Sequence, residues 1–135
     1  MVTDGILLES FGPLRMTDTS FPVPARGSFY AGGDGLFSIA GDLLRFGKML
    51  LNRGQLDGVR ILSPETVDPM TSDQLRGLPM PLVNFTARDT YGLGVGLATD
   101  LGKSSSLGTV GNFGWTGAAT TLLQMDPRER MVTLV

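Results

Sequence analysis

The stretch of sequence with the clearest chemical character is GNFGWTGAAT, residues 111–120. It holds Trp115, the only tryptophan of the chain, between Gly114 and Gly117. Since glycine has no side chain, the backbone on either side of the indole can approach another molecule or another strand closely. The pattern therefore predicts either a binding site or a tight entry into a strand, and the residues alone leave both open.

Residues that could act as a nucleophile and its base are few. The chain has no cysteine and no histidine, which excludes thiol chemistry, a Ser-His-Asp triad within the chain and the usual zinc ligands. Lys48 and Lys103 are the two lysines, and neither completes an S-x-x-K motif. Neither Tyr30 nor Tyr91 begins a Y-x-N triplet. The 13 acidic residues form no catalytic pair, so we expect each of these carboxylates to be solvated.

Length and charge limit the other classes of function. With 135 residues, 41% of them hydrophobic, the chain can form one globular core, and we expect one domain or part of one. A net charge of −2 with scattered basic residues argues against nucleic acid as a partner. No apolar run approaches the roughly 18 residues of a membrane span, and no signal peptide is visible. The compartment stays undecided.

The clearest helix follows the glycine-rich segment 31–38, which lacks the lysine of a phosphate loop and predicts only a bend. Ser38 suits the N-cap and Gly54 the C-terminal stop. Asp42 is spaced to pair with Arg45 on a solvated face. The apolar residues at helical spacing predict a buried face made of Ile39, Leu43, Phe46 and Leu50.

A hairpin and a short helix are predicted next. Asp57 and Gly58 lie between two short apolar segments, which is the pattern of a tight hairpin turn with positive φ. Ser63 then suits an N-cap and Pro64 the first helical position, while Pro69 limits the length of the helix.

The second half of the chain predicts a long loop followed by strands. Residues 76–90 lack periodicity and contain spaced prolines, which indicates an irregular surface loop. Residues 91–100 alternate large side chains with glycine, so one face of that strand is nearly bare and something can pack against it. Residues 116–126 suit a strand covered on both faces, 126–130 a turn, and 131–135 another strand. We therefore predict an α+β fold, an antiparallel sheet flanked by helices.

Four segments in succession resemble the C-terminal part of the serine β-lactamase and penicillin-binding-protein-like family, which includes D-Ala-D-Ala carboxypeptidases and carboxylesterases. They are GPLRMTDTSFPVP, GGDGLFSIAGDLLRFGKMLLNRGQLDGVRILSPETV, YGLGVGLATD and FGWTGAATTLLQMDPRERMVTLV. The resemblance implies a partial β-lactamase/DD-peptidase-like fold and an acyl-serine mechanism with S-x-x-K, Y-x-N and [KHW]-x-G motifs. Trp115, Thr116 and Gly117 match the third motif and would bind substrate. The backbone N–H of Ala118 would be an oxyanion-hole donor.

The other two motifs would lie before residue 1, so the resemblance implies that residues 1–135 are the C-terminal part of one such domain, truncated at both ends. The intact protein would act on a small-molecule ester, a β-lactam or a D-amino-acid peptide, with no metal and no cofactor. This chain alone is expected to be inactive. The alternative is a non-catalytic binding or structural remnant of the fold.

Overall fold

The computed structural model describes residues 11–21, 35–78, 90–102, 107–117 and 119–135 of the chain. These ranges contain two α-helices and seven β-strands, numbered here in chain order. The helices are α1 (Ala40–Leu51) and α2 (Pro64–Met70). The strands are β1 (Gln55–Leu56), β2 (Val59–Arg60), β3 (Thr90–Tyr91), β4 (Gly96–Leu97), β5 (Phe113–Thr116), β6 (Leu122–Asp126) and β7 (Met131–Leu134).

The main sheet is a five-stranded antiparallel meander in the order β3-β4-β5-β6-β7. Its central register pairs Trp115 with Leu123, and Leu123 in turn with Leu134. Strands β1 and β2 form a separate two-stranded sheet. The segregation of helices from an antiparallel sheet confirms the predicted α+β class.

Helix α1 packs against β6 and β7 of the main sheet. The close contact is at Gly47, where an added Cβ would collide with Val132 and lie 3.4 Å from the sulfur of Met125. A helix can therefore approach this face of the sheet because it presents no side chain at that point. The buried core that results consists of Phe11, Leu14, Met16, Met49, Leu50, Leu56, Leu97, Phe113 and Met125.

The start of α1 differs from the prediction. The N-cap residue is Ile39 rather than Ser38, and no side chain caps the helix. Asp42 does not pair with Arg45 but is buried, where its carboxylate accepts hydrogen bonds from Asp18 N and Thr19 Oγ1, both at 2.8 Å. The tertiary contact with residues 18–19 has replaced the local one, because a buried carboxylate needs donors that solvent does not supply.

The predicted buried face of α1 is only partly correct. Leu50 is buried and Phe46 packs against the core, but Ile39 is 50% exposed. Arg45 does not lie on a merely solvated face, since its guanidinium forms an ion pair with Asp57 at 2.6 Å. The N-cap residue and the first two residues of the helix are thus exposed, and burial begins at Asp42.

The helix terminus and the hairpin follow the sequence closely. Arg53 and Gly54 both have positive φ, and their N–H groups donate to Leu50 O and Met49 O, which is the Schellman arrangement. Asp57 and Gly58 also have positive φ and connect β1 to β2 as a two-residue turn. These elements confirm the predicted helix end and hairpin.

Helix α2 and the segment after it agree in part with the sequence. Ser63 is the N-cap residue, and the helix ends one residue after Pro69. Residues 79–89, most of the predicted long loop, lie outside the described residues. The segment predicted as one strand from Tyr91 is instead a hairpin, in which Gly92 N donates to Val95 O and Gly94 has a φ of 91°. Glycine therefore permits a turn where alternation suggested a continuous strand.

Candidate active site

Strand β5 lies unusually close to β6 at Gly114. The residue pairs with Gln124, and a Cβ at this position would collide with the carbonyl oxygen of Leu123. The sequence thus needs glycine before Trp115 for close packing of two strands. The tight strand entry predicted from GNFGWTGAAT is correct, and it coexists with the features of a binding site described below.

A tight turn after β5 determines how the strand leaves the sheet. Gly117 N donates to Thr121 O at 2.8 Å, and Thr120 N donates to Gly117 O at 3.1 Å. A Cβ at Gly117 would collide with the hydroxyl of Thr121, so a larger residue here would require Thr121 to change its rotamer. Ala118 lies outside the described residues, and its assignment as an oxyanion-hole donor stays a prediction.

The structure brings Trp115, Thr116 and Gly117 together along one cavity of about 520 Å³. The cavity lies between the start of α1 and strands β5 to β7. Its other described lining residues are Leu36, Ser38, Ala40, Leu43, Thr121, Leu122, Leu123, Leu134 and Val135. None of these described lining side chains carries a charge, and most are aliphatic. A cavity of this size and character suits an uncharged organic group.

The indole of Trp115 is held from one side and open on another. It is 37% exposed, and its ring packs edge-to-face with that of Tyr91, with centroids 5.2 Å apart and an interplanar angle of 79°. Such perpendicular pairs are a favourable arrangement of two aromatic rings. The described cavity lining includes Trp115 but not Tyr91. Tyr91 therefore supports the indole from outside the cavity.

Ser38 borders the cavity, and the short hydrogen bond of its hydroxyl is made to another hydroxyl and not to an amine. Its Oγ lies 2.7 Å from Thr19 Oγ1, which donates its own proton to Asp42 Oδ2 at 2.8 Å. Because a threonine hydroxyl has one proton, Ser38 must be the donor to Thr19. Lys48 lies along a different cavity, of about 240 Å³, beside Arg130. Lys103 lies outside the described residues.

The opposite face of β6 carries a polar cluster. Asp126 is 1% exposed, and its carboxylate accepts hydrogen bonds from Thr109 N and Thr109 Oγ1, both at 2.7 Å. The backbone N–H groups of Arg128 and Glu129 donate to it at 3.1 Å. Burial raises the pKa of Asp126, but the hydrogen bonds from Thr109 and from these N–H groups outweigh it and hold the pKa below its ordinary value.

The same cluster anchors the segment that leads into β5. Gln124 Nε2 donates to Leu107 O, and Asn112 Nδ2 donates to Thr109 O at 2.7 Å. A side chain at Gly108 would collide with the side chains of Asp126 and Gln124. Residues 107–112 are therefore held flat against the sheet immediately before the strand of Trp115.

Sequence reasoning missed this cluster. Solvated surface was the expectation for each acidic residue, and it is wrong for Asp126 and for Asp42, which are both buried. A signal was present at Asp126, because an Asp-Pro pair beginning a turn uses the carboxylate to cap backbone N–H groups. No comparable local signal precedes Asp42, whose partners lie more than 20 residues away in sequence.

Comparisons with known proteins place this geometry in a family. A family model described as Beta-lactamase matches residues 9–135. Two proteins of Mycobacterium tuberculosis, Rv1367c and MT1414, are 41% identical over 115 residues, which is 79% of this chain. The chain spans 28% of the length of these relatives.

Solved structures agree on the fold. A candidate beta-lactamase of Bacteroides dorei superposes with a TM-score of 0.70 at 26% identity, covering 98% of this chain and 43% of that one. Simvastatin synthase (LovD) of Aspergillus terreus gives a TM-score of 0.77 at 20% identity, covering 98% and 44%. Within the described ranges, no helix has the length and apolar character needed to cross a membrane.

Proposed function

Because this chain belongs to the beta-lactamase family, we propose that it forms the acyl-binding side of a serine hydrolase that prefers uncharged esters to carboxylate-bearing β-lactams. The observation that carries this proposal is the cavity beside Trp115, whose described lining has no charged side chain. A ligand carboxylate placed there would lose its hydration without gaining a charged partner. An uncharged ester would lose much less hydration free energy on entering the cavity.

Each residue of the triplet has a distinct part in this proposal. Trp115 offers a large apolar face and one N–H donor to the acyl or alkoxy portion of the ester. Thr116 lines the cavity next to it, and Gly117 keeps the edge of the strand free of a side chain. The backbone N–H of Ala118 would donate to the oxyanion of the tetrahedral intermediate and stabilise it.

The nucleophile in this proposal comes from polypeptide outside residues 1–135. An S-x-x-K serine and lysine and a Y-x-N tyrosine would form and hydrolyse the acyl-enzyme across the cavity from β5. In support, the chain spans 28% of the length of its Mycobacterium tuberculosis relatives and 43% of the Bacteroides dorei protein. The residues would then be part of one larger β-lactamase-like domain, with a small molecule as its substrate.

The preference for esters can be tested by introducing a cation. Lysine at position 115 would present an ammonium group to the carboxylate of a β-lactam or of a peptide C-terminus. A charge-assisted contact is worth about 1.5–3 kcal/mol, so Trp115→Lys should move the ratio of kcat/KM toward the β-lactam by roughly ten-fold or more. The measurement compares a neutral p-nitrophenyl ester with a cephalosporin in a protein that contains all three motifs.

Trp115→Phe is the matched control, since it keeps an apolar ring and adds no charge. It should leave the preference for the ester in place. If the unsubstituted protein already favours the cephalosporin, or if Trp115→Lys leaves the ratio unchanged, Trp115 packs the fold and does not select substrate.

The second candidate function is a non-catalytic remnant of the fold. The hydrogen bonding of Ser38 favours it, because that hydroxyl donates to the neutral hydroxyl of Thr19 and not directly to a strong base. The coding sequence upstream of residue 1 separates the two candidates. An S-x-x-K followed by a Y-x-N supports the hydrolase, and their absence supports the remnant.

A further inference from the structure

The contact between Tyr91 and Trp115 extends the candidate site beyond the cavity itself. We propose that Tyr91 is a positioning residue that fixes the orientation of the Trp115 indole and thereby the shape of the acyl cavity. The consequence for substrate selection rests on the proposed function. The positioning itself is a property of these 135 residues and can be measured without any activity.

Tyr91 lies opposite glycine on the neighbouring strand. Tyr91 pairs with Gly96, and Gly96 pairs with Gly114, so one row of the sheet runs from β3 through β4 to β5. Two of the three positions in this row are glycine. The row ends at Gly114, the residue before Trp115, and its two glycines place no side chain beside the Tyr91 ring, whose centroid lies 5.2 Å from that of Trp115.

The backbone that carries Tyr91 is itself held in place. Tyr91 O accepts a hydrogen bond from Gln74 N at 2.9 Å, and the hydroxyl of the preceding Thr90 donates to Asp73 at 2.5 Å. Two residues later, Leu93 N donates to Met70 O at 3.1 Å. The phenol ring thus projects from a hairpin that is tied to the end of α2, and it is a fixed support.

Trp115 is 37% exposed and borders the open cavity, where a flat side chain could occupy more than one rotamer. An edge-to-face contact favours one of these rotamers. Without Tyr91, the indole would sample positions that narrow or widen the cavity, so discrimination among acyl groups of different width would weaken.

The direct test observes the indole by 19F NMR after incorporation of 5-fluorotryptophan. Trp115 is the only tryptophan of the chain and gives a single signal. In a longer protein its signal is the one lost in Trp115→Phe. We expect Tyr91→Leu to shift and broaden this signal and to raise the acrylamide quenching constant of Trp115 fluorescence by roughly two-fold or more. Tyr91→Phe keeps the ring and should retain the signal of the unsubstituted protein.

Phe21→Leu provides the matched control, because it removes one ring of the other aromatic pair, Phe11–Phe21, whose centroids are 6.5 Å apart. It should leave the Trp115 signal unchanged. The proposal is overturned if Tyr91→Leu has no effect, if Phe21→Leu has an equal effect, or if Tyr91→Phe changes the signal as much as Tyr91→Leu does. The last result would assign the effect to the hydroxyl and not to the ring.

The substrate consequence is measured separately in a protein that hydrolyses esters. Tyr91→Leu should reduce the difference in kcat/KM between a narrow and a wide acyl group, acetate and pivalate p-nitrophenyl esters, by roughly two- to ten-fold, and Tyr91→Phe should restore it. A change in the 19F signal with no ester hydrolysis by the unsubstituted protein would refute the proposed function and leave the positioning intact. Hydrolysis with an unchanged signal would refute the positioning alone.

Discussion

The two faces of strands β5 and β6 are built in opposite ways. On one face, Trp115 and Leu123 border an open cavity of about 520 Å³, whose described lining has no charged side chain. On the other face, Gln124 and Asp126 are buried beneath residues 107–112 and bound to them by hydrogen bonds. Successive residues of the same strands therefore have different roles. The polar side chains of one face hold the backbone by directional hydrogen bonds. The apolar side chains of the other face border a cavity that another group can fill.

This difference suggests where the strand of Trp115 obtains its rigidity. Apolar packing around a cavity restrains a strand weakly, because few atoms contact it from that side. The polar cluster joins the neighbouring strand β6 to the segment that precedes β5 through charge-assisted hydrogen bonds between Asp126 and Thr109, which are the stronger kind. A binding strand held by the opposite face of its sheet can keep its geometry while its own side chains stay accessible.

The largest expected loss of stability is at Gly114, where β5 pairs with β6. Gly114→Ala places a Cβ against the carbonyl oxygen of Leu123, and backbone cannot move aside as a flexible side chain can. We expect a loss of roughly 2–4 kcal/mol in the free energy of unfolding, measured by urea denaturation. Gly41→Ala is the control, since its nearest neighbour would be Ile39 Cδ1 at 3.9 Å in an exposed helical turn. It should be neutral or slightly stabilising.

Asp126→Asn tests the polar face alone. The substitution keeps the shape of the side chain but replaces a carboxylate that accepts from Thr109, Arg128 and Glu129 by an amide with one acceptor oxygen. We expect a loss of about 1–3 kcal/mol in the free energy of unfolding. Asp68→Asn, which removes an exposed ion pair with Arg53, should cost under about 1 kcal/mol. Equal losses in the two variants would contradict a special role for the buried cluster.

The pH dependence of the free energy of unfolding also tests the contribution of the Asp126 carboxylate. The folded pKa of Asp126 is below its ordinary value, so the carboxylate contributes stability that is complete above the unfolded pKa of about 3.9. That contribution is lost as pH falls through the folded pKa. Urea midpoints should therefore decrease between about pH 5 and pH 3, and Asp126→Asn should reduce this decrease. It should not abolish it, because the pKa values of Asp73 and Glu65 are lowered as well, by hydrogen bonds from Thr90 and from the first turn of α2 respectively.

Local elements of this fold could be predicted from sequence because their determinants are local. The turn at Asp57 and Gly58 needs positive φ at both residues, and the turn after Asp126 needs a carboxylate followed by proline. Each of these requirements is determined by the identity of a few neighbouring residues in the sequence. The hairpin formed by residues 90–97 was not predicted, because alternating glycines allow either a strand or a turn, and pairing with β5 decides between them.

The sequence indicates the triplet of the candidate site but not the cavity beside it, and the binding of substrate by the triplet stays a prediction. The resemblance led to Trp115, Thr116 and Gly117, and the structure lines one cavity with all three. The prediction that Ser38 caps α1 failed, since the hydroxyl bonds to Thr19, which lies 19 residues earlier. Contacts between distant segments leave no periodic signal in a single sequence. The same reason explains why the buried position of Asp42 and the support of Trp115 by Tyr91 required the structure.

The smallest expected effect concerns Ser38, which borders the open face. Its hydroxyl donates to the neutral hydroxyl of Thr19, which is a much weaker base than the lysine amine of an S-x-x-K motif. Residues 1–135 should therefore neither hydrolyse p-nitrophenyl esters or nitrocefin nor react with a fluorophosphonate. Ser38→Ala should leave both results unchanged while costing about 1 kcal/mol of stability through the lost hydrogen bond. Stoichiometric labelling that disappears in Ser38→Ala would place the nucleophile within this chain, and the open face would then hold a complete site instead of the acyl-binding side of one.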